Sequence, residues 1–547
     1  MNKTKRVSFV SAVPAVLVAM LAGCSSGGGG GNSASPPIAA AVPATDTGSS
    51  GSSSGNTFMS GVFQPFSNFD ALCATPRTGT DPSTGASFSD SQGTFVDENN
   101  WLRSWSNELY LWYDEIVDID PQDETTPDYF DLMKTFATTP SGAPVDKFHF
   151  TIPTDDFQAL SQSGISAGYG AVFAILASSP PRSVVVAYTE PDSPAASDPA
   201  NLLRGASILN VDGADLVNGN SSADIDTLNA GLFPADVGET HQFTVLDLGS
   251  VEPREVTLTS ALITSDPVQN VGTITTNTGE VAYMSFNDHI ATAEQELIDA
   301  IVQLNSSGIT DLVLDLRYNG GGFLDIANEL AFMIAGPAAA SGRTFEELQF
   351  NDKHPVFDPV TGATLSPIVF HTTSVGFSAT ANEPLPSLDL SRVFILTGPG
   401  TCSASESIIN GLRGIDVEVI QVGSTTCGKP YGFYAFDNCG TTYFSIQFRG
   451  VNAKDFGDYT DGFSPDNVVQ VEGTQVPGCS VADDFTHQLG DREEARLAAA
   501  LAYRVDGSCP AASGFTASRA AVSLAPLSAV DGVVPKPIWL QNRILRR

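Results

Sequence analysis

The sequence predicts a multidomain α+β protein with a helical N-terminal domain, a β domain and an α/β core. Three observations predict it. Apolar residues recur at helical spacing between Glu98 and Asp118, short β-branched runs bounded by turn residues fill 165 to 262, and strands alternate with amphipathic helices from about residue 270. The length of 547 residues suits about three domains. A hydrophobic content of 42% is enough for buried cores. The net charge of −36, from 62 acidic and 26 basic residues, argues against a nucleic-acid partner, since phosphate contacts need Lys and Arg.

Lys3, Lys5 and Arg6 precede an apolar run, Val7 to Ala22, that Pro14 interrupts, so this run is too short and broken for a transmembrane helix. The "LAGC" that follows resembles the lipobox of bacterial lipoproteins. The resemblance implies a signal peptide over 1–24, a lipid on Cys24, and a chain anchored to a membrane in the periplasm or cell envelope. Ser25 implies the outer membrane of a Gram-negative cell. An ordinary secretory signal cleaved near the same place is the alternative. Residues 25–58 are Gly, Ser and Pro-rich and read as a disordered tether. Six cysteines then remain, which in an exported chain read as disulfides with fifteen possible pairings. Cys427 and Cys439 are the expected pair, because a Gly-rich turn between them could close a hairpin. Neither a C-x-x-C pair nor a His cluster is present, so no metal site or cofactor is expected.

In the helical domain, 60–160, "ENNWLRSWSNELYLWYDEIVD" reads as one helix with an aromatic face, and "TPDYFDLMKTFAT" as a second with Pro127 in its first turn. Residues 161–262 hold strand patterns at Val172 to Leu176, Val184 to Tyr188, Ser207 to Val211, Gln242 to Leu246 and Glu255 to Thr259. "SPAASDPANLLRGASILNVDGADL" reads as a short helix, a Gly turn and a strand. This region resembles a PDZ domain. The resemblance puts Gly168, Tyr169 and Gly170 in the loop that offers N–H groups to a chain-terminal carboxylate while a peptide adds a strand to the sheet edge. A β-sandwich insert without a ligand is the alternative.

From 263 to 505 the pattern is α/β. Val281 to Phe286 reads as a strand, and "TAEQELIDAIVQLNSSG" as a helix with Thr292 and Gln295 as a capping box. "ITDLVLDLR" is a buried strand that runs into Asn319-Gly320-Gly321-Gly322 and an apolar helix, Leu324 to Ile334. Val393 to Leu396 is another strand, and it feeds the knuckle "TGPGTCSASE" and an amphipathic helix. "VEVIQVG" is a further strand before the loop "STTCGKPYG".

Carboxyl ends of strands are where sites assemble in α/β sheets, and three such loops carry possible chemistry. Ser403 at one tip and Lys429 at another could form a Ser–Lys dyad, in which the amine removes the proton of a hydroxyl that is otherwise a poor nucleophile. A free Lys titrates near about 10.4, so a base of this kind must be buried away from carboxylates. No acidic residue lies between Thr426 and Gly432. The N–H groups of Ala404 and of Gly320 or Gly321 could form an oxyanion hole.

"DLRYNGGG", "SASE" and "GK" in this order, behind a PDZ-like segment and an aromatic segment ending in "DKFHFTI", resemble the C-terminal processing, or tail-specific, serine peptidases over about residues 85–505. The resemblance implies a crotonase-like ββα peptidase core and cleavage of exported or misfolded polypeptides engaged by their C-termini. It implies Ser403 as nucleophile, Lys429 as base, Ala404 with Gly320 or Gly321 as oxyanion donors, and Glu406 as a supporting residue that orients the loop. Three features depart from the family's pattern. Phe433 stands where many members have a Gln that orients the Lys, the Ser-to-Lys interval is one residue longer, and Cys402 precedes the nucleophile.

Ser405 is the alternative nucleophile. A catalytically impaired peptide-binding relative is the alternative function, kept open by Phe433. A Ser–His hydrolase lacks a G-x-S-x-G elbow and an evident placement for His289 and His371. In the tail, 506–547, "PKPIWLQNRILRR" is apolar and basic. It reads either as a frayed end or as a C-terminal peptide for the PDZ groove of its own or a neighbouring chain.

Overall fold

The computed structural model describes residues 58–81, 85–468 and 473–510, together with the backbone of 543–545. All of these belong to the second of two units, Phe58–Arg547. The expected signal segment with Cys24, the expected tether as far as Thr57 and most of the tail lie outside the described residues. Among those described, no helix is long and apolar enough to cross a membrane.

Helix α1, Phe95–Leu109, starts at a capping box in which Thr94 and Asp97 exchange hydrogen bonds. Its buried Trp101 and Trp105 stack at 5.2 Å. The expected helix to Asp118 stops short because Leu111 donates its N–H to the carbonyl of Ile446, which pulls the chain out of the helix. Helix α2, Thr126–Leu132, has Pro127 in its first turn. Helix α3, Thr154–Ser163, was not apparent from the pattern and ends on Gly164 in the left-handed region.

A mixed segment follows, with β1 (Ile165–Gly168), β2 (Ala171–Ala177), β3 (Ser183–Thr189), β4 (Ser207–Val211), helix α4 (Ser222–Leu232), β5 (Thr240–Leu246), β6 (Arg254–Thr259) and β7 (Ala261–Thr264). The sheet order is β6-β5-β4-β3-β2, and β1 pairs with β7. The short helix expected after Ser193 is a run of turns. The pattern also missed α4, which is capped by a Ser221–Asp224 box.

The core sheet is built from β8 (Val268–Thr276), β9 (Gly279–Phe286) and β10 (Asp311–Asp315), with helix α5 (Ala293–Asn305) between the last two. The predicted capping box of α5 does not form. Thr292 itself has helical φ and ψ, and Gln295 donates its N–H to Ser378 Oγ at 3.1 Å. A two-residue strand, β11 (Gly322–Phe323), leads into α6 (Leu324–Ala340), which breaks at Gly336 before Pro337. After β12 (Thr344–Gln349) come β13 (Arg392–Thr397), α7 (Ala404–Gly414), β14 (Glu418–Gly423), β15 (Tyr431–Tyr434), β16 (Phe448–Val451), β17 (Gly478–Ser480) and α8 (Ala495–Asp506).

The core order is β8-β9-β10-β13-β14-β17, parallel from β9 onward. Parallel strands bury both faces, which is why β10 and β13 read as continuous apolar runs. A second sheet has the order β11-β18-β15-β16-β12, where β18 is Arg543–Leu545. The disulfides are Cys73–Cys439, Cys402–Cys427 and Cys479–Cys509. The expected Cys427–Cys439 pair is therefore wrong. Cys427 is held beside the Ser knuckle, whereas Cys439 lies past β15 near the N-terminal helices.

Candidate active site

Ser403 is the N-cap of α7, the helix entered directly from the loop after β13. That loop is docked on the end of β10. Thr401 donates its hydroxyl to the carbonyl of Leu316 at 2.7 Å, and Cys402 donates its N–H to the carbonyl of Asn319 at 3.1 Å. Ser403 has φ 58° and ψ −114°, a conformation that a residue with a Cβ rarely adopts and that costs on the order of 1–3 kcal/mol. Its Oγ is buried and makes no hydrogen bond among the described residues. The Oγ of Ser405, in contrast, donates to the carbonyl of Asn319 at 3.1 Å. The geometry thus separates the two candidate serines, since only Ser403 keeps its hydroxyl uncommitted.

Glu406, fully buried in the first turn of α7, ties the serine and lysine loops together. Its Oε2 accepts from the backbone N–H of Ser403 at 2.9 Å and from that of Lys429 at 2.8 Å. Its Oε1 accepts from Gly428 N at 2.9 Å and from the Thr426 hydroxyl at 2.5 Å. Burial pushes the Glu406 carboxyl above its usual range, and these donors work in the opposite direction. The Cys402–Cys427 disulfide and the bond from Cys427 N–H to the Thr401 carbonyl fix the same junction. Cys402, Glu406 and Cys427 are also the grouping of three potential metal ligands found among the described residues. Two of them are consumed in the disulfide, so the set offers one carboxylate and no thiolate.

The Lys429 side chain is buried, with Nζ 4.6 Å from the ring centroid of Phe148 and 4.5 Å from that of Phe433. Phe433, the departure at the Gln position, is thus a wall of the lysine pocket. No local sequence pattern points to Phe148 as a neighbour of Lys429. It belongs to the "DKFHFTI" segment, whose Asp146 accepts from Phe148 N–H at 3.0 Å and from the Tyr110 hydroxyl at 2.7 Å. Lys147 in the same segment donates to the carbonyl of Cys427 at 2.8 Å.

The glycine run closes the third side. A Cβ on Gly322 would lie 2.3 Å from the carbonyl oxygen of His289, so only glycine fits there, at φ 143°. Gly321 N–H is committed to Asn319 Oδ1 at 2.9 Å, and the same oxygen lies 2.9 Å from His289 Nδ1. The N–H groups of Gly320 and Ala404 have no acceptor among the described residues. His289 is therefore packed against the glycine run, while His371 is elsewhere, 2.9 Å from Asp325. In the 165–264 segment, Tyr169 is buried with its hydroxyl on the carbonyl of Gly231 at 3.0 Å, between Gly168 and Gly170.

Residues 277–466 match the profile of peptidase family S41. A carboxyl-terminal-processing protease of Picosynechococcus is 31% identical over 157 residues, which cover 27% of this chain and 37% of that protein. The chain thus spans little more than a third of that relative's length. A crystal structure from Bacteroides fragilis, described as an S41 protease, superposes with a TM-score of 0.53 at 23% identity, over 75% of this chain and 97% of the other. This is a likeness of fold. The photosystem II D1 C-terminal processing protease aligns at 18% identity with a TM-score of 0.39, over 70% and 94%. Over residues 277–466 the chain is thus similar to peptidase family S41.

Proposed function

We propose that the protein is a serine endopeptidase that cleaves exported or misfolded polypeptides, with Ser403 as nucleophile and neutral Lys429 as general base. The carrying observation is Ser403 itself, a buried serine whose hydroxyl is uncommitted, held at positive φ on a helix N-terminus with its backbone sharing the Glu406 carboxylate with Lys429. In this reading the Ser403 proton passes to Lys429 Nζ as Oγ bonds to the scissile carbonyl carbon. The resulting oxyanion is held by the N–H groups of Ala404 and Gly320. Collapse expels the amine, which takes the proton from Lys429, and water then hydrolyses the acyl-enzyme through the same base. Gly321 is a poorer donor because its N–H is spent on Asn319. Glu406 acts as a positioning residue.

The 165–264 segment acts as a PDZ-like module for substrate C-termini. What supports this is that β2, which directly follows Gly168, Tyr169 and Gly170, is an edge strand with a free side among the described residues. The lipid anchor on Cys24 and the periplasmic location belong to the same proposal.

Phe433 favours a second reading, a peptide-binding relative without turnover. An ammonium is attracted to the two aromatic faces beside Nζ, which works against the neutral amine a base requires. Cleavage of an unfolded model protein by wild type, Ser403→Ala and Lys429→Ala between pH 6 and 10 decides. The peptidase reading expects both variants to be inactive, with thermal unfolding of Ser403→Ala within about 1 kcal/mol of wild type. Cleavage retained by Ser403→Ala, or a wild type that binds C-terminal peptides and cuts nothing, would overturn it.

A further inference from the structure

Strand β18 lies between β11 and β15 and runs parallel to both. In register, Arg543 faces Gly322, and Ile544 faces Phe323 on one side and Phe433 on the other, while Leu545 faces Tyr434. These neighbours border the candidate site. Gly322 and Phe323 end the glycine run that carries the oxyanion donors, and β15 starts two residues after Lys429. Phe433, opposite Ile544, is the residue whose ring lies 4.5 Å from Lys429 Nζ. A segment more than a hundred residues beyond either loop is therefore threaded as a strand along the two loops that would deliver oxyanion donor and base.

Neighbouring strands in a sheet lie about 4.8 Å apart, so β11 and β15 are separated by roughly twice that distance and cannot pair with each other. Without β18, both would present unpaired N–H and C=O groups across a slot one strand wide, open to any extended polypeptide. β11 has only two residues, and Gly322 sits at φ 143°. Few ladder bonds therefore hold β18 on that side, and a competing chain can replace it.

We propose that the slot between β11 and β15 is the cleft in which the peptidase binds extended, unfolded polypeptide, and that this chain's own segment Arg543–Leu545 occupies it as a competitive plug. The proposal rests on the peptidase reading above. It also replaces the expectation that the tail serves a PDZ groove, since β18 pairs with β11 and β15 rather than with a strand of the 165–264 segment. Recognition is through the main chain, so the cleft tolerates many sequences and selects for chains that can extend. Being tethered, the segment is present at an effective concentration on the order of 1 mM, so even weak pairing keeps the slot filled. An occupancy of about 90% raises the apparent KM roughly tenfold, because only the open fraction binds. It leaves kcat unchanged, because saturating substrate displaces the plug.

The test compares the full chain with a variant lacking residues 535–547 and with Ile544→Pro, which removes one ladder N–H without shortening the chain. Initial rates are measured on a reduced, carboxymethylated unfolded protein. Both variants should lower KM about tenfold at unchanged kcat, and a synthetic peptide of residues 535–547 should inhibit the truncated variant competitively. An unchanged KM in both variants, or inhibition by the peptide that substrate does not relieve, would overturn the proposal. So would loss of the segment from wild type but not from Ser403→Ala, read by intact mass, since the segment would then be a substrate. A labelled 535–547 peptide binding to the truncated chain, and displaced by unfolded protein, reads the slot without turnover. If no chain cuts the unfolded protein but this competition persists, the peptidase reading fails while the plug stands; if the peptide does not bind, the plug fails.

Discussion

In the peptidase reading, Ser403 concentrates the conflict between stability and chemistry in one residue. Its φ of 58° suits glycine, and burial of an uncommitted hydroxyl is unfavourable as well. Ser403→Gly is expected to raise stability by about 1 kcal/mol while abolishing hydrolysis, as read by thermal unfolding and a cleavage assay. The sequence made this residue legible because a strand, small residues and an amphipathic helix with Glu three positions on spell out a knuckle. It did not reveal that Ser405 is spent on the Asn319 carbonyl or that Phe148 reaches Lys429. Both contacts join residues that no local period connects. Gly320 and Gly321 looked equivalent for the same reason, until the Asn319 side chain distinguished them.

Among the elements, the strands and helices of the core were the most readable. Ser207 to Val211 coincides with β4, and Ala404 begins the helix that follows the Ser knuckle. The ends set by long-range partners were not readable: α1 stops where Leu111 turns to Ile446. Short α3 and α4 were missed because their apolar stripes are interrupted by polar residues. The disulfides also depend on tertiary placement. Cys402–Cys427 closes a loop over a sequence separation of 25, for which chain entropy contributes on the order of 3 kcal/mol. It also clamps the serine loop to the lysine loop. Cys402→Ala with Cys427→Ala should therefore lower kcat at least tenfold at temperatures where circular dichroism still reports a folded chain. An equal kcat in the double variant would reduce the bridge to a stabilising role.

Over the whole molecule, a buried ionic cluster joins the 165–264 segment to the core. Arg204, just before β4, donates to Asp483 Oδ1 at 2.6 Å and to the Tyr318 hydroxyl at 2.6 Å. Arg317, after β10, donates to the same Asp483 oxygen at 2.6 Å and forks onto Glu494 at the start of α8 at 2.9 and 3.0 Å. Burial opposes the charge on Asp483, but Arg204, Arg317 and Arg496 hold its carboxyl far below the usual range. A carboxyl depressed on folding stabilises the folded state at pH values above its ordinary titration, and that contribution is lost as the pH falls toward the folded value. Stability should thus decline on acidification below about pH 4, the ordinary carboxylate range. Asp483→Asn should flatten that limb while lowering stability at pH 7. Arg204→Ala leaves a buried carboxylate short of a cation and should cost about 3–5 kcal/mol in denaturant unfolding.

The Cys73–Cys439 bridge spans 366 positions of sequence, so almost everything from the N-terminal helices to the strands beyond Lys429 lies within one covalent ring. A single cut anywhere in that ring opens it without releasing a fragment. A copy nicked in an exposed loop within the ring keeps both pieces attached. Such damaged molecules migrate as intact chains on a denaturing gel until a reductant is added, when they fall into two bands.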